Sequence, residues 1–370
     1  MEVRFSKFSF LLESGEKDAV TNNQVLPLEP EDYPIGGSLG KMLKYESNAI
    51  SPFIREDIEL QSVDEDALIR AIGSIPTYPN SDPNHPFWQE LLHVIQAQEY
   101  RVLEMTEMLP TLPDLWKGVS MAQYAENVHD EYPGYWQSQL LMSFFPTMKV
   151  DYDVLPFCAQ YDFVGGPIRF AALNTWATAR VSAINFRAKW KYGRPRPEEV
   201  AYLVFTGDIP ESSVPPNLYA KIMEFVKDIP VDEVAATDFT AYATGSPRHP
   251  SWPAMHSAAS SSSFWMSVVL DLTDEQYCQA LLTDYAVSYA RTVAGVHYPS
   301  DNIDGLNLGQ EILAKYLKYH LVERYGANET NTQAKIDASR FDWNDFDPDD
   351  CETFVDTMRR RSRSLLNHEE

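Results

Sequence analysis

The chain has 370 residues and a mass of 42.2 kDa, with 44% hydrophobic and 12% aromatic residues, enough to bury a large core in one large domain or two small ones. Acids outnumber Lys plus Arg by 54 to 30, and a formal charge of −24 repels nucleic acid and anionic membrane surfaces, so neither is expected as a partner. No stretch approaches the roughly 18 uncharged apolar residues that a membrane span requires.

Taken in chain order, residues 1–62 are punctuated by Pro27, Pro30, Pro34, Gly36, Gly37, Gly40 and Pro52 and read as an irregular arm packed on the core or on a partner subunit. The apolar run at Phe8–Leu12 is short and lacks a small-residue cleavage site, which gives the expectation of a cytoplasmic protein, with secretion left open. Residues 63–330 repeat their apolar positions every three to four residues, which predicts an all-α domain built as a helical bundle. Helices are expected from His85 to Leu109 and from Ala172 to Tyr192, with Gly193 in the left-handed position and Pro195 and Pro197 preventing continuation. Ser251 is expected to cap a helix running from Ala254 to about Leu270. Thr273 and Gln276 suit a capping box for a helix from Asp274 to about Ala294, ended by Gly295, and a long helix begins near Ser300-Asp301 and reaches Tyr325. Residues 331–370 form a C-terminal extension, acidic at 342–352 and basic at 359–363, read as a solvated surface or subunit contact. Cys158, Cys278 and Cys351 show no pairing or metal-ligand spacing, which suggests free thiols in a reducing compartment.

The distribution of charge is more informative than its total. Residues 163–197 contain no acid, where the chain average would place about five, and hold Arg169, Arg180, Arg187, Lys189, Lys191, Arg194 and Arg196. The windows 239–270 and 285–300 are also free of acids and carry Arg248, His249, His256, Arg291 and His297. Buried helices avoid carboxylates, so one such window means little; three together favour convergence on a single anion. Guanidinium groups bind two oxygens at a time, Lys supplies a compact point charge, and a helix start at Pro253–His256 adds amide donors. Of two histidines, one can bond to the central atom while the other moves protons at an apical oxygen. Asp301, four residues after His297, can fix its tautomer, which suits His297 to the bonding role.

The blocks Lys189 to Pro197, Pro253-Ala254-Met255-His256 and Arg291 to Asp301 resemble the signature K-x6-RP, PSGH, SR-x5-H-x3-D of the vanadium-dependent haloperoxidase and type 2 phosphatidic acid phosphatase superfamily. The longer stretch His249-Pro250-Ser251-Trp252-Pro253 resembles the algal-type bromoperoxidases and their bacterial relatives. The resemblance implies a helical bundle of that type, vanadate as cofactor, and a homodimer or larger assembly. It implies that Lys189, Arg196 and Arg291 hold the equatorial oxygens, with Arg194 as a competitor for the place of Arg196. His297 would be the vanadium ligand, Asp301 its partner, His256 the acid–base group, and His249 a second pocket histidine. The implied activity is halide oxidation by hydrogen peroxide, with bromide or iodide, and chloride as a third candidate, followed by halogenation of an organic acceptor.

Departures from the signature keep other readings open. Ala254 and Met255 replace Ser-Gly, and Ala290 replaces the serine before Arg291. Loss of the hydroxyl at 254 removes a hydrogen bond worth roughly 1.5–3 kcal/mol to a charged partner, while Met255 keeps its backbone amide but adds an oxidisable side chain. A second reading is therefore a relative that does acid–base chemistry without halogenation or vanadate. A third is a phosphatase in which His297 attacks phosphorus and His256 protonates the leaving group.

Overall fold

The computed structural model describes residues 65–366 apart from 74–76, 78, 109, 111, 113–116, 122–139, 142, 145–146, 148, 156–164, 243–244 and 247–248. The expected arm at residues 1–62 lies outside them, as does Arg248. Among the described residues there is no strand, only two isolated bridges, and the protein is all-α.

The helices are α1 (Glu65–Ala71), α2 (Pro86–Ala97), α3 (Met105–Met108), α4 (Gly165–Tyr192), α5 (Pro197–Thr206), α6 (Pro216–Phe225), α7 (Met255–Ala259), α8 (Ser262–Val269), α9 (Asp274–Val293), α10 (Pro299–Tyr325), α11 (Glu329–Ser339) and α12 (Cys351–Leu366). The capping box at Thr273 and Gln276 forms in both directions, and Gly295 follows α9 at φ 78°. α4 starts at Gly165, before the expected Ala172, and Gly193 ends it at φ 63°. Pro197 then opens α5 at its first position, where a missing N–H costs nothing.

Four expectations need correction. The helix from His85 ends at Ala97 and tightens into a 3-10 turn over Gln98–Val102 before the separate α3; the next positions on the stripe of Phe87, Trp88, Leu91, Val94 and Ile95 are polar Gln98 and exposed Val102, so the apolar face stops there. Ser251 caps no helix: its hydroxyl donates to the carbonyls of Arg194 and Pro195, and Ala254 stands at the N-cap of α7 without a side-chain bond. The run from Ala254 to Leu270 breaks at Ser260-Ser261 into α7 and α8. Cys278 and Cys351 form a disulfide, with Cα atoms 5.8 Å apart across 73 residues, so these two thiols are not free and the inference of a reducing compartment loses its support. Spacing could not show this pair, because the two cysteines sit on different helices that meet only in the fold.

The centre of the molecule is the packing of α10 against α7, α4 and α9. α10 approaches very closely because it presents glycine there. A Cβ at Gly305 would lie 2.7 Å from the Ala254 carbonyl oxygen, and one at Gly309 only 2.1 Å from that of Ala258. The C-terminal segment is not only solvated surface: α12 buries Val355 and Met358, and Arg359 reaches Asp274 at 3.0 Å and the face of Tyr277.

Candidate active site

The end of α4 carries Lys189, the α4–α5 turn carries Arg194 and Arg196, α9 carries Arg291, and the α9–α10 turn carries His297. All five are at most 3% exposed, and four of them are cations. Burying cations without compensation is costly, so each needs an explanation.

Arg194 is explained by ordinary pairing. It donates to Asp301 Oδ1 at 2.6 Å, to Ser300 Oγ at 2.7 Å and to Glu90 Oε1 at 3.1 Å, and lies over the ring of Tyr298. Burial disfavours its charge, but Asp301 and Glu90 outweigh that and hold it fully protonated. Of the two arginines, Arg194 thus stands behind Asp301, already neutralised.

Lys189 and Arg196 differ. Neither makes an ion pair among the described residues; they donate to main-chain carbonyls instead. Lys189 Nζ lies 3.0 Å from Pro250 O and 2.8 Å from Ser251 O, and Arg196 donates to His249 O at 3.0 Å and Val296 O at 2.6 Å. Burial, then the neighbouring Arg196, pushes the Lys189 ammonium well below its ordinary range. Burial also pushes Arg196 down to about 10.

Arg196 also donates to Nε2 of His297 at 3.0 Å and to Nδ1 of His249 at 3.0 Å. A guanidinium can only donate, so both ring nitrogens accept, and the 3.2 Å approach of His249 Nδ1 to the Pro250 carbonyl is then a contact without a shared hydrogen. His297 therefore carries its proton on Nδ1, which faces Asp301 Oδ2 at 3.2 Å. Burial first, then Arg196, Lys189, His256 and Arg291, hold the His297 imidazole well below its usual range, and burial, Lys189 and Arg196 do the same to His249. The result is a neutral imidazole whose Nε2 lone pair points toward the cations, with a carboxylate fixing it from behind. Asp301 in turn accepts from the Tyr298 amide at 3.0 Å.

His256 sits in the first turn of α7, partly exposed, close enough to His297 to lower its basicity. Its helix is held by Ala254 N donating to Asp301 O at 2.9 Å, and by the chain Ser257 to Asn302 to Thr292, which ties α7 to α10 and α9. Met255 opens α7 with a buried side chain.

Arg291 donates to the hydroxyl of Tyr242. Tyr242 is buried and was invisible to sequence reasoning, since no spacing rule links position 242 to 291. Burial raises its pKa, against the opposing pull of Arg291, so it is a neutral phenol. Nothing in the sequence marks Glu90 either, because α2 is distant from every motif block.

Among protein-family models, that of the PAP2 superfamily matches residues 171–323, which makes this segment a PAP2 superfamily domain. The segment contains Lys189, Arg194, Arg196, His249, Met255, His256, Arg291, His297 and Asp301. No curated protein matches the chain.

Proposed function

From the premise of a PAP2 superfamily domain at residues 171–323, we propose that the cage around His297 binds a tetrahedral oxyanion and that the protein is a vanadium-dependent haloperoxidase. The observation that carries the reading is the neutral His297 ring, with Nε2 3.0 Å from Arg196 and Nδ1 against Asp301.

Vanadate fits this donor set. The buried cations Lys189 and Arg196 form no ion pair among the described residues, so an anion beside them would offset a desolvation cost that carbonyl bonds and the charges of Asp301 and Glu198 only partly offset. Lys189, Arg196 and Arg291 would hold its oxygens and His297 Nε2 would bond to the metal. Bound vanadate would supply Lewis-acid activation of hydrogen peroxide toward halide. Asp301 keeps the proton of His297 on Nδ1, and His256 can hold or release a proton at an outer oxygen of the bound anion. His249, on the far amino group of Arg196, brings a second histidine to the same guanidinium, as this reading expects. The homodimer implied by the family resemblance belongs to the same proposal.

One observation favours a different reading: Ala254 caps α7 with no side-chain oxygen. With one fewer donor the cage would retain vanadate less well, and the same neutral Nε2 could attack the phosphorus of a phosphate ester. The P–O bond to the leaving group would break as the bond to nitrogen forms, with His256 delivering a proton to the departing oxygen.

Two assays decide. Protein incubated with orthovanadate is given peroxide, bromide and a phenol dye; protein without vanadate is given p-nitrophenyl phosphate. Bromination that disappears in His297→Ala supports the haloperoxidase. Phosphate release that vanadate inhibits sinks it in favour of the phosphatase, and anion binding with neither activity supports a non-halogenating relative.

A further inference from the structure

His297 and Asp301 do not end the chain of contacts. Asp301 divides its carboxylate, with Oδ2 facing His297 Nδ1 at 3.2 Å and Oδ1 accepting from Arg194 at 2.6 Å. Arg194 continues to Glu90 on α2, which also accepts from the Ser300 amide at 3.1 Å and from the Ser300 hydroxyl. Phe87 and Tyr298 flank the guanidinium, with ring centroids 5.6 and 4.1 Å from its central carbon, which restricts the plane in which it can donate.

The charges alternate along this line. Asp301 alone would place one negative charge behind the imidazole. Arg194 alone would cancel it, and Glu90 restores it while leaving both of its neighbours paired. The geometry points to Arg194 and Glu90 as positioning residues that lock the Asp301 carboxylate, so that His297 keeps its proton on Nδ1 and presents Nε2 to the anion. Neither touches the anion; both act through Asp301. Glu90 lies outside residues 171–323, so the support of the site reaches beyond the matched domain. This inference rests on His297 as the anion-bonding group.

The test uses the full chain carrying Glu90→Gln or Arg194→Met. One readout is the tautomer of His297 by 15N NMR at a fixed pH; the other is orthovanadate affinity by titration, with inorganic phosphate as a second probe. Losing outer-shell support of a ligating histidine typically weakens binding by roughly 10- to 100-fold. Arg194→Met is expected toward the upper end of that range and Glu90→Gln toward the lower, both with His297 shifting from Nδ1–H to a mixture of tautomers. If Arg194→Met does not fold, Glu90→Gln carries the test, because the Glu90 side chain is 23% exposed and its amide can still accept from Ser300. Unchanged affinity and tautomer in the folded variants, with thermal stability alone reduced, would overturn the assignment. Wild-type protein that binds neither orthovanadate nor phosphate would sink the anion reading instead, and the tautomer comparison would still decide the positioning role.

Discussion

Arg196 and His297 are 101 residues apart in the chain and meet at 3.0 Å, with the guanidinium as donor and Nε2 as acceptor. A cation in hydrogen-bond contact with an imidazole opposes its protonation, so this pair holds His297 in the form that can bond to an electrophilic centre. A negatively charged guest entering beside them would attract the guanidinium and leave the neutral ring free to bond.

That attraction predicts ligand-dependent stability. Orthovanadate or phosphate at 100 times its dissociation constant should stabilise the folded protein by about 2.7 kcal/mol, read as a rise in Tm. In Lys189→Met at the same concentration the rise should largely vanish. An undiminished rise in that variant would place the anion elsewhere.

Asp301→Asn keeps the shape but lets the amide present its NH2 to His297 Nδ1. Orthovanadate affinity should fall by roughly 10- to 100-fold and activity at least as much. Wild-type kcat/KM in this variant would show that His297 does not need the carboxylate.

The close seam of α10 against α7 and α8 gives a steric prediction. Ala at 309 would meet the Ala258 carbonyl and the Ser261 hydroxyl at 2.1 Å, and backbone cannot step aside cheaply. Gly309→Ala should lose at least the 1–3 kcal/mol typical of overpacking. Gly305→Ala, facing the Ala254 carbonyl, should also displace the turn that carries His256 and weaken anion binding. Wild-type melting of Gly309→Ala would mean that the helices lie farther apart than described.

Cys351→Ser removes a link that closes 73 residues of sequence separation. Chain-entropy reasoning gives about 4 kcal/mol as the upper end of the loss, and unfolding in denaturant is the measurement. The same midpoint with and without reductant would argue against the bond in solution.

His320 stacks on Trp176 at 3.9 Å, and burial, then Arg324 and Arg180, lower its pKa to about 4. The unfolded chain takes up this proton near pH 6.5 and the folded chain only near 4. The contribution is complete above about 6.5 and is lost as the pH falls toward 4. The ring is partly exposed, so the effect is on the order of 1 kcal/mol. His320→Phe should flatten stability against pH across that window; an unchanged slope would assign it to other groups.

The bundle and the site were legible to different depths. Period 3.6, the Thr273–Gln276 box and Gly193 and Gly295 located α9 and the end of α4, because those signals are local. The acid-free windows marked Lys189, Arg196, Arg291 and His297, because buried helices carry few carboxylates of their own. What stayed hidden depends on distant partners. Ser251 has the composition of a cap but donates to carbonyls across the α4–α5 turn, Arg194 and Arg196 are alike until Asp301 and Glu90 choose between them, and Tyr242 and Cys351 find their partners only once α9 is packed.

Lys189 and Arg196 are also the pins of the 249–251 loop, through the carbonyls of His249, Pro250 and Ser251. Side chains already fastened in this way lose little conformational freedom when a guest arrives, so the entropic toll of binding should be small, with the contact of Arg196 to His297 Nε2 the one to be exchanged. The same fastening links recognition to loop register: a substitution that slides this loop by one residue would detune two charges together, without touching either of them.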